Sequence, residues 1–571
     1  MTDREFEQFE RFREHWSRRD FIRGMGAAAA FTALAAGGME LLAACGSQPS
    51  TTTSQTVRKG GKLVAATIAD PKTFNPVLSN DSASNYVINR IHEPLLAFDD
   101  KGNQTARIAT GPAKISSDGL TFTFTLRKDV KFSDGHPLTS DDVRFTYDLS
   151  FDPRYKAVKS QNRETYQQYI QELQNPDPST FIVKLKKVYA PFATLLGVGG
   201  PGILPRHVLG SLTGDQINTA DYNTNPTVTA GPFKFVEWKK GQQVTMARND
   251  GYYRGPANLD TWVYLIVGSS LDIFNKLTTG EVDVAGIDPS QADQAKTVQH
   301  LDLVAFPGFN YEYIAFNLRQ DHPANVFFQD KRIRQAMMYA LDRASMAKAI
   351  YFGYAAIANS AIPPLSWAYN KDATPKYNFD KAKAGSLLDA AGWKMGASGV
   401  REKDGKPFKI QMMTNAGNKV RENLLLALQQ AWKDVGIEAT PNYVDFNKVL
   451  VPALLDNRNF DLAMSGLGFN ADPDPDQFHT RNIPPGNFNS PGWSNAEADK
   501  LMDDAVATYD KAKRRDLYAK LQSIINEEPS QPPLFFATGP TAVNKRVKNY
   551  VLSPFVNVSY YARDVFVTDG K

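Results

Sequence analysis

The sequence predicts a mixed α/β protein with at least two lobes, and three observations carry that reading. The chain has 571 residues, beyond the roughly 250–300 at which a single hydrophobic core stops growing. Residues 408–444 read as strand, helix, strand: apolar Phe408–Met413, amphipathic Lys419–Val435, Gly436 as a stop, then Ile437–Val444. That is the order of a βαβ unit. Thr121-Phe122-Thr123-Phe124-Thr125-Leu126 alternates strictly, the period of a strand with one buried face.

The N-terminal segment precedes any globular element. Ser17-Arg18-Arg19-Asp20-Phe21-Ile22-Arg23 resembles the twin-arginine export signal. An Ala/Gly-rich stretch over 24–44 follows, interrupted by Glu40, and is too weakly apolar for a permanent membrane span. It ends in Leu42-Ala43-Ala44-Cys45, which is similar to a bacterial lipobox. Cys45 is the only cysteine, so no internal disulfide can form, and its thiol is the expected lipidation point. Residues 46–58 are polar and read as a flexible tether, averaging roughly 20 Å by the coil estimate.

In the body, Lys62–Ile68 is the first expected strand. After the alternating strand comes a turn at Ser133-Asp134-Gly135. Thr139 is then a helix N-cap with Asp142 three residues on, for a helix to about Leu149. On Lys419–Val435 the inward positions are Val420, Leu424, Leu428, Ala431 and Val435. Further helices are expected over 331–352, 381–391, 495–507 and 511–527.

Composition excludes some functions. Net charge is +4, from 65 basic and 61 acidic residues spread along the chain, and no basic block marks a nucleic-acid surface. The seven histidines, at 15, 92, 136, 207, 300, 322 and 479, are scattered with no pair at i, i+4, so no metal site is read from them. Gly197-Val-Gly199-Gly-Pro-Gly202 fits G-x-G-x-x-G, but Pro201 and Pro205 make it a loop. Ser345-Met-Ala-Lys348 fits S-x-x-K without the K-T-G that would complete an acyl-enzyme. No catalytic set, cofactor or metal is expected.

One stretch stands out: Phe469-Asn-Ala-Asp472-Pro-Asp474-Pro-Asp476-Gln-Phe-His-Thr480. Three carboxylates in five residues repel one another, and two prolines deny them helical hydrogen bonds. A calcium loop fails, because position 6 is Gln477 and position 12 is Ile483. On its own the stretch reads either as a solvated acidic turn or as a stiff loop that meets a ligand cation with carboxylates already ordered.

Several blocks together resemble the bacterial extracellular solute-binding proteins of family 5, the oligopeptide/dipeptide-binding type. They are Leu126–Thr139 (LRKDVKFSDGHPLT) with Asp141-Asp142-Val143, then Ala230–Trp238 (AGPFKFVEW), then Phe316-Asn317 with Asp330–Ala336 and Ala340–Arg343, and finally Phe379-Asp380 through Leu387-Leu388 to Ala391-Gly392-Trp393. The resemblance implies a two-lobed periplasmic-binding-protein clamshell, type II-like, with an extra inserted domain. By that analogy residues 1–45 are the signal peptide and 46–58 the tether. Residues 59–96, 207–307 and 534–571 form lobe I, 97–206 the inserted domain and 308–533 lobe II, with hinge crossings near 308 and 533. It also implies a monomer that captures peptides between the lobes and delivers them to an ABC permease, from a lipid anchor at the envelope. The ligand residues so implied are Asp472, pairing with the peptide α-ammonium at a strand end marked by Phe469 and Asn470. Asn80, Ser82, Ser84 and Tyr86 are expected on the facing wall. Asp474 and Asp476 are left to solvent or to bracing the loop.

Three other readings compete: a binder of the same family adapted to an oligosaccharide, with aromatics stacking on sugar rings; a surface hydrolase, for which no nucleophile with its base is found; and an envelope chaperone or adhesion protein, which would favour exposed apolar patches over an enclosed cleft. The anchor is directly testable. Cys45→Ala should leave a folded protein that is no longer lipidated and moves to the soluble fraction on cell fractionation. Unchanged membrane retention would refute lipidation at Cys45.

Overall fold

The computed structural model describes residues 57–197, 200–306, 308–468, 472–555 and 558–569. The signal segment with Cys45, most of the tether, and Phe469 and Asn470 lie outside the described residues. No described helix is long and apolar enough to cross a membrane.

Two large sheets organise residues 58–569. The first has seven strands, in spatial order Leu301–Val304, Thr541–Asn544, Val284–Gly286, Lys62–Thr67, Thr261–Ile266, Gln243–Arg248 and Phe233–Lys239. Lys62–Thr67 runs parallel to both its neighbours, and the other pairs are antiparallel. Apolar side chains fill both faces: Leu63, Trp262 and Met246 with Ile88 and Ile91 on one side, Ile273, Phe274 and Leu277 on the other. The second sheet has six strands, in order Ala355–Ile357, Pro533–Ala537, Asn310–Phe316, Leu462–Gly468, Lys409–Asn415 and Glu438–Val444. Its core is the largest and includes Trp393, Trp432, Phe316 and Tyr518.

The expected βαβ unit is present. Lys409–Asn415 and Glu438–Val444 pair in parallel, with helix Lys419–Lys433 crossing between them. Leu424, Leu428 and Val435 are buried, and Val420 and Ala431 are partly buried. The expected helix over 331–352 is instead two helices, Lys331–Tyr339 and Arg343–Tyr351. The break occurs because Asp342 caps the second one, accepting from the Ser345 amide at 3.0 Å and the Ser345 hydroxyl at 2.7 Å. Ser345 is thereby spent on a cap.

A smaller antiparallel sheet of four strands, Lys114–Ile115, Thr121–Thr125, Thr180–Leu185 and Ile170–Asp177, stands apart with its own core. Phe122, Phe124 and Leu126 all point into that core, as the alternation requires. Thr139 caps helix Ser140–Phe151 in a reciprocal box with Asp142. This domain is joined to the first sheet's lobe by a buried pair, Arg107 and Glu93 at 3.4 Å. Tyr252 and Tyr253 also donate to the Glu93 carboxylate, at 3.1 and 3.2 Å. Burial pushes the Glu93 carboxyl up, and Arg107 and the two hydroxyls draw it back.

The chain passes between the two large sheets along adjacent segments. Leu301–Val304 pairs with Thr541–Asn544 in the first sheet, and Asn310–Phe316 pairs with Pro533–Ala537 in the second. Because Pro533–Ala537 belongs to the second sheet, the return crossing falls at 538–540, later than the expected 533.

Candidate functional site

The acidic loop leaves the end of Leu462–Gly468, an inner strand flanked by Asn310–Phe316 and Lys409–Asn415. It closes in the short 3-10 turn Asp476–Phe478. A strand held on both sides gives such a loop a rigid base.

Each carboxylate of the loop meets a different environment. Asp472 makes a two-pronged pair with Arg514, whose Nη2 donates to Oδ1 at 2.7 Å and Nη1 to Oδ2 at 3.1 Å. Arg514 lies on helix Lys511–Glu527 with its side chain buried, its guanidinium 4.9 Å from the Trp367 ring centroid. Tyr518, one turn along that helix, donates to the Pro473 carbonyl at 2.7 Å. The prolines and these two bonds hold the loop backbone.

Asp474 accepts a 2.7 Å hydrogen bond from the Tyr189 hydroxyl, which belongs to the four-stranded domain. Burial, reinforced by repulsion from Asp476, pushes the Asp474 carboxyl up to about 7. Burial also raises Asp476, while Arg481 and Asn482 draw it down. Neither acid is fully exposed. Of the two roles expected for them, bracing describes Asp474, bonded to Tyr189, while both acids keep part of their surface open to solvent. Tyr189 itself stacks on Tyr169 with centroids 3.9 Å apart.

The same seam carries further contacts. The Ala190 amide donates to the Val506 carbonyl at 2.7 Å, and the Tyr509 hydroxyl to the Gly119 carbonyl at 2.9 Å. Val506 packs into the small domain's core.

The residues expected on the facing wall are placed as follows. Asn80 and Ser82 are exposed, at the start of helix Ser82–Ile91. Ser84 is fully buried, donates to Asp81 at 2.7 Å and accepts from the Lys72 and Thr73 amides. Tyr86 stacks on Tyr264 at 4.0 Å and carries the Arg90 guanidinium 3.5 Å over its ring. Ser84 and Tyr86 therefore build the fold around this helix. Among the described residues, no hydrogen bond or ion pair joins residues 80–86 to 472–476. Sequence reasoning missed Arg514 and Tyr189. Nothing local marks either, since they lie 42 and 285 residues from their acids.

Two measurements check this electrostatic picture. Asp472→Asn leaves Arg514 buried without its counter-charge, so chemical denaturation should show a loss of about 3–5 kcal/mol. Asp474 has a folded-state value near 7 against 3.8 for the ordinary carboxyl. The native state thus holds the extra proton, and its contribution is full below about pH 4 and lost as pH rises through 7. Asp474→Asn should flatten the decline in melting temperature between pH 4 and 7; an unchanged slope would contradict the burial of this acid.

The comparisons with known proteins agree with this architecture. Residues 103–490 match the family model described as bacterial extracellular solute-binding proteins, family 5 middle. The oligopeptide-binding protein AppA of Bacillus subtilis is 31% identical over 500 residues, covering 87% of this chain and 90% of AppA. Heme-binding protein A of Haemophilus influenzae is 29% identical over 564 residues, covering 93% and 97%. The structure of Bacillus subtilis AppA in complex with a nonapeptide superposes with a TM-score of 0.74 at 30% identity, over 90% of this chain and 100% of that one. The two-sheet, two-lobed α/β architecture and the matched span together make this chain a member of the bacterial extracellular solute-binding proteins, family 5.

Proposed function

We propose that the protein is the substrate-binding component of a peptide-type ABC importer, taking di- or oligopeptides between its lobes and passing them to a permease. The twin-arginine-like segment and Cys45 would export it and anchor it by lipid at the envelope, and the 46–58 tether would keep captured peptide near the permease. The protein acts here as a binder and not as an enzyme. The proposed lobes are 59–96 with 207–307 and the segment after 537 for the first, 308–537 for the second, and 97–206 for the inserted domain.

The observation that carries the peptide reading is the charge of the acidic loop, taken with the peptide-binding relatives. Arg514 balances Asp472, and Arg481, which is also bonded to Asp503, only partly offsets Asp474 and Asp476. An ammonium group entering beside the loop restores balance, and a carboxylate held in advance limits the ordering needed on binding. Asp472 remains the proposed anchor. Arg514 takes one lone pair on each of its oxygens, and an ionised carboxylate has about four acceptor sites. Asn80 and Ser82 are the proposed facing contacts, with Ser84 and Tyr86 behind them, and Phe469 and Asn470 complete the proposed ligand set.

Mass spectrometry of ligand released from denatured, purified protein should find peptides; an oligosaccharide or haem would replace the reading. Calorimetry then tests the ammonium contact. N-acetylation of a bound peptide should weaken binding by about 2–5 kcal/mol, the range for removing one partner of a buried charge pair. Affinity for the free-amine peptide should also fall as pH drops below 7 and Asp474 takes up its proton. Equal affinity for acetylated and free peptide would reject the ammonium contact while leaving peptide capture standing.

A further inference from the structure

We infer that Asp134, His136 and His207 form a binding site for a late first-row divalent cation such as zinc, copper(II) or nickel, where the small domain adjoins the first lobe. This stands apart from the peptide reading and uses none of its residues. The histidines look isolated in the sequence, but folding brings the turn at 133–136 against the short helix Arg206–Leu209. One ligand atom from each of the three side chains lies within 4.8 Å of the other two.

The geometry is that of a tied cluster. His207 Nε2 sits 2.7 Å from Asp134 Oδ2. The His136 and His207 rings stack with centroids 4.1 Å apart and planes 12° from parallel. The backbone beneath them is held at several points. The Phe132 amide donates to the His136 carbonyl and the Gly135 amide to the Phe132 carbonyl, both at 2.9 Å. Gly135 closes that turn with φ of +92°, a conformation that favours glycine. The His136 amide donates to Asp134 Oδ1 at 3.0 Å. Ser133 ties the turn to Thr229 by two further bonds. On the other side, Asp142 accepts from the Arg206 amide at 3.0 Å, fixing the start of the helix that carries His207.

Two imidazoles with one carboxylate are a donor set suited to zinc, copper(II) and nickel, whereas magnesium and calcium prefer oxygen ligands throughout. Parallel stacked rings do not aim their in-plane lone pairs at one point, so binding requires each imidazole to turn about its Cβ–Cγ bond. That torsion is broad and soft, and all three residues are exposed, so the turn meets little resistance. The Asp134 oxygen that now accepts from His207 then becomes a ligand. Water would complete the tetrahedron on the open side. A bound cation would link two segments that are 73 residues apart in the chain.

The test is equilibrium dialysis of the tag-free full chain against zinc, with wild type, His136→Ala and His207→Gln compared. Wild type should take up one zinc per chain that millimolar magnesium does not displace, and each variant should bind at least tenfold more weakly. Zinc should raise the melting temperature of wild type and not of His136→Ala, while the metal-free melts of the two coincide. Absence of stoichiometric zinc uptake, or equal uptake by wild type and both variants, would overturn the site.

Discussion

The architecture depends on a two-stranded connection between the large sheets. The strand ending at Val304 and the one beginning at Thr541 are hydrogen-bonded partners in the first sheet, while Asn310–Phe316 and Pro533–Ala537 are partners in the second. Both crossings, 305–309 and 538–540, are therefore gripped at each end by an antiparallel ladder. The flanking strands cannot shift register without breaking those ladders, because a one-residue slip would turn every side chain to the wrong face. The bonds that flank the crossings reinforce this: the Ile287 amide donates to the Pro540 carbonyl and the Thr538 amide to the Tyr354 carbonyl, both at 2.9 Å. A connection by two short segments suits the hinge class of domain movement.

The small domain has two seams, and they differ in kind. Toward the first lobe it shares a buried ion pair, two tyrosine hydroxyls and an apolar cluster that includes Val77, Phe145, Leu149, Leu204 and Tyr222. Separating that seam would expose Glu93 and Arg107 unpaired, which is strongly unfavourable. Toward the second lobe it offers the hydrogen bonds of Tyr189, Ala190 and Tyr509, with Val506 and the Tyr509 ring as apolar contacts. Neutral bonds of that kind contribute about 0.5–1.5 kcal/mol each and a bond to a carboxylate about 1.5–3, and this second seam lacks the buried ion pair of the first. The small domain accordingly belongs mechanically to the first lobe.

The acidic loop lies on that second seam. Its first acid is neutralised from within its own lobe by Arg514, and its second is bonded across the seam by Tyr189. The loop's charge is for this reason partly structural, and only the remainder is available to a ligand. On the proposed reading, a peptide ammonium would meet acids that folding has already ordered.

Much of the secondary structure was legible because its causes are local. The period-two run at Phe122, Phe124 and Leu126, the Thr139–Asp142 cap and the βαβ unit over 409–444 follow from spacings of a few residues. The helices Lys381–Ala390, Ala496–Val506 and Lys511–Glu527 lie within one residue of the expected spans for the same reason. The break at Asp342 was local too, but a cap inside a continuous apolar pattern is outweighed by that pattern when read along the chain. By itself the sequence determined an α/β chain, its family blocks and a stiff acidic loop. Only the tertiary structure decided that Asp472 faces Arg514, that Asp474 faces Tyr189, that the return crossing follows residue 537, and that His136 meets His207. Those pairings come from closing two sheets over strands drawn from distant parts of the chain, and no short-range periodicity encodes which distant side chain that closure brings alongside.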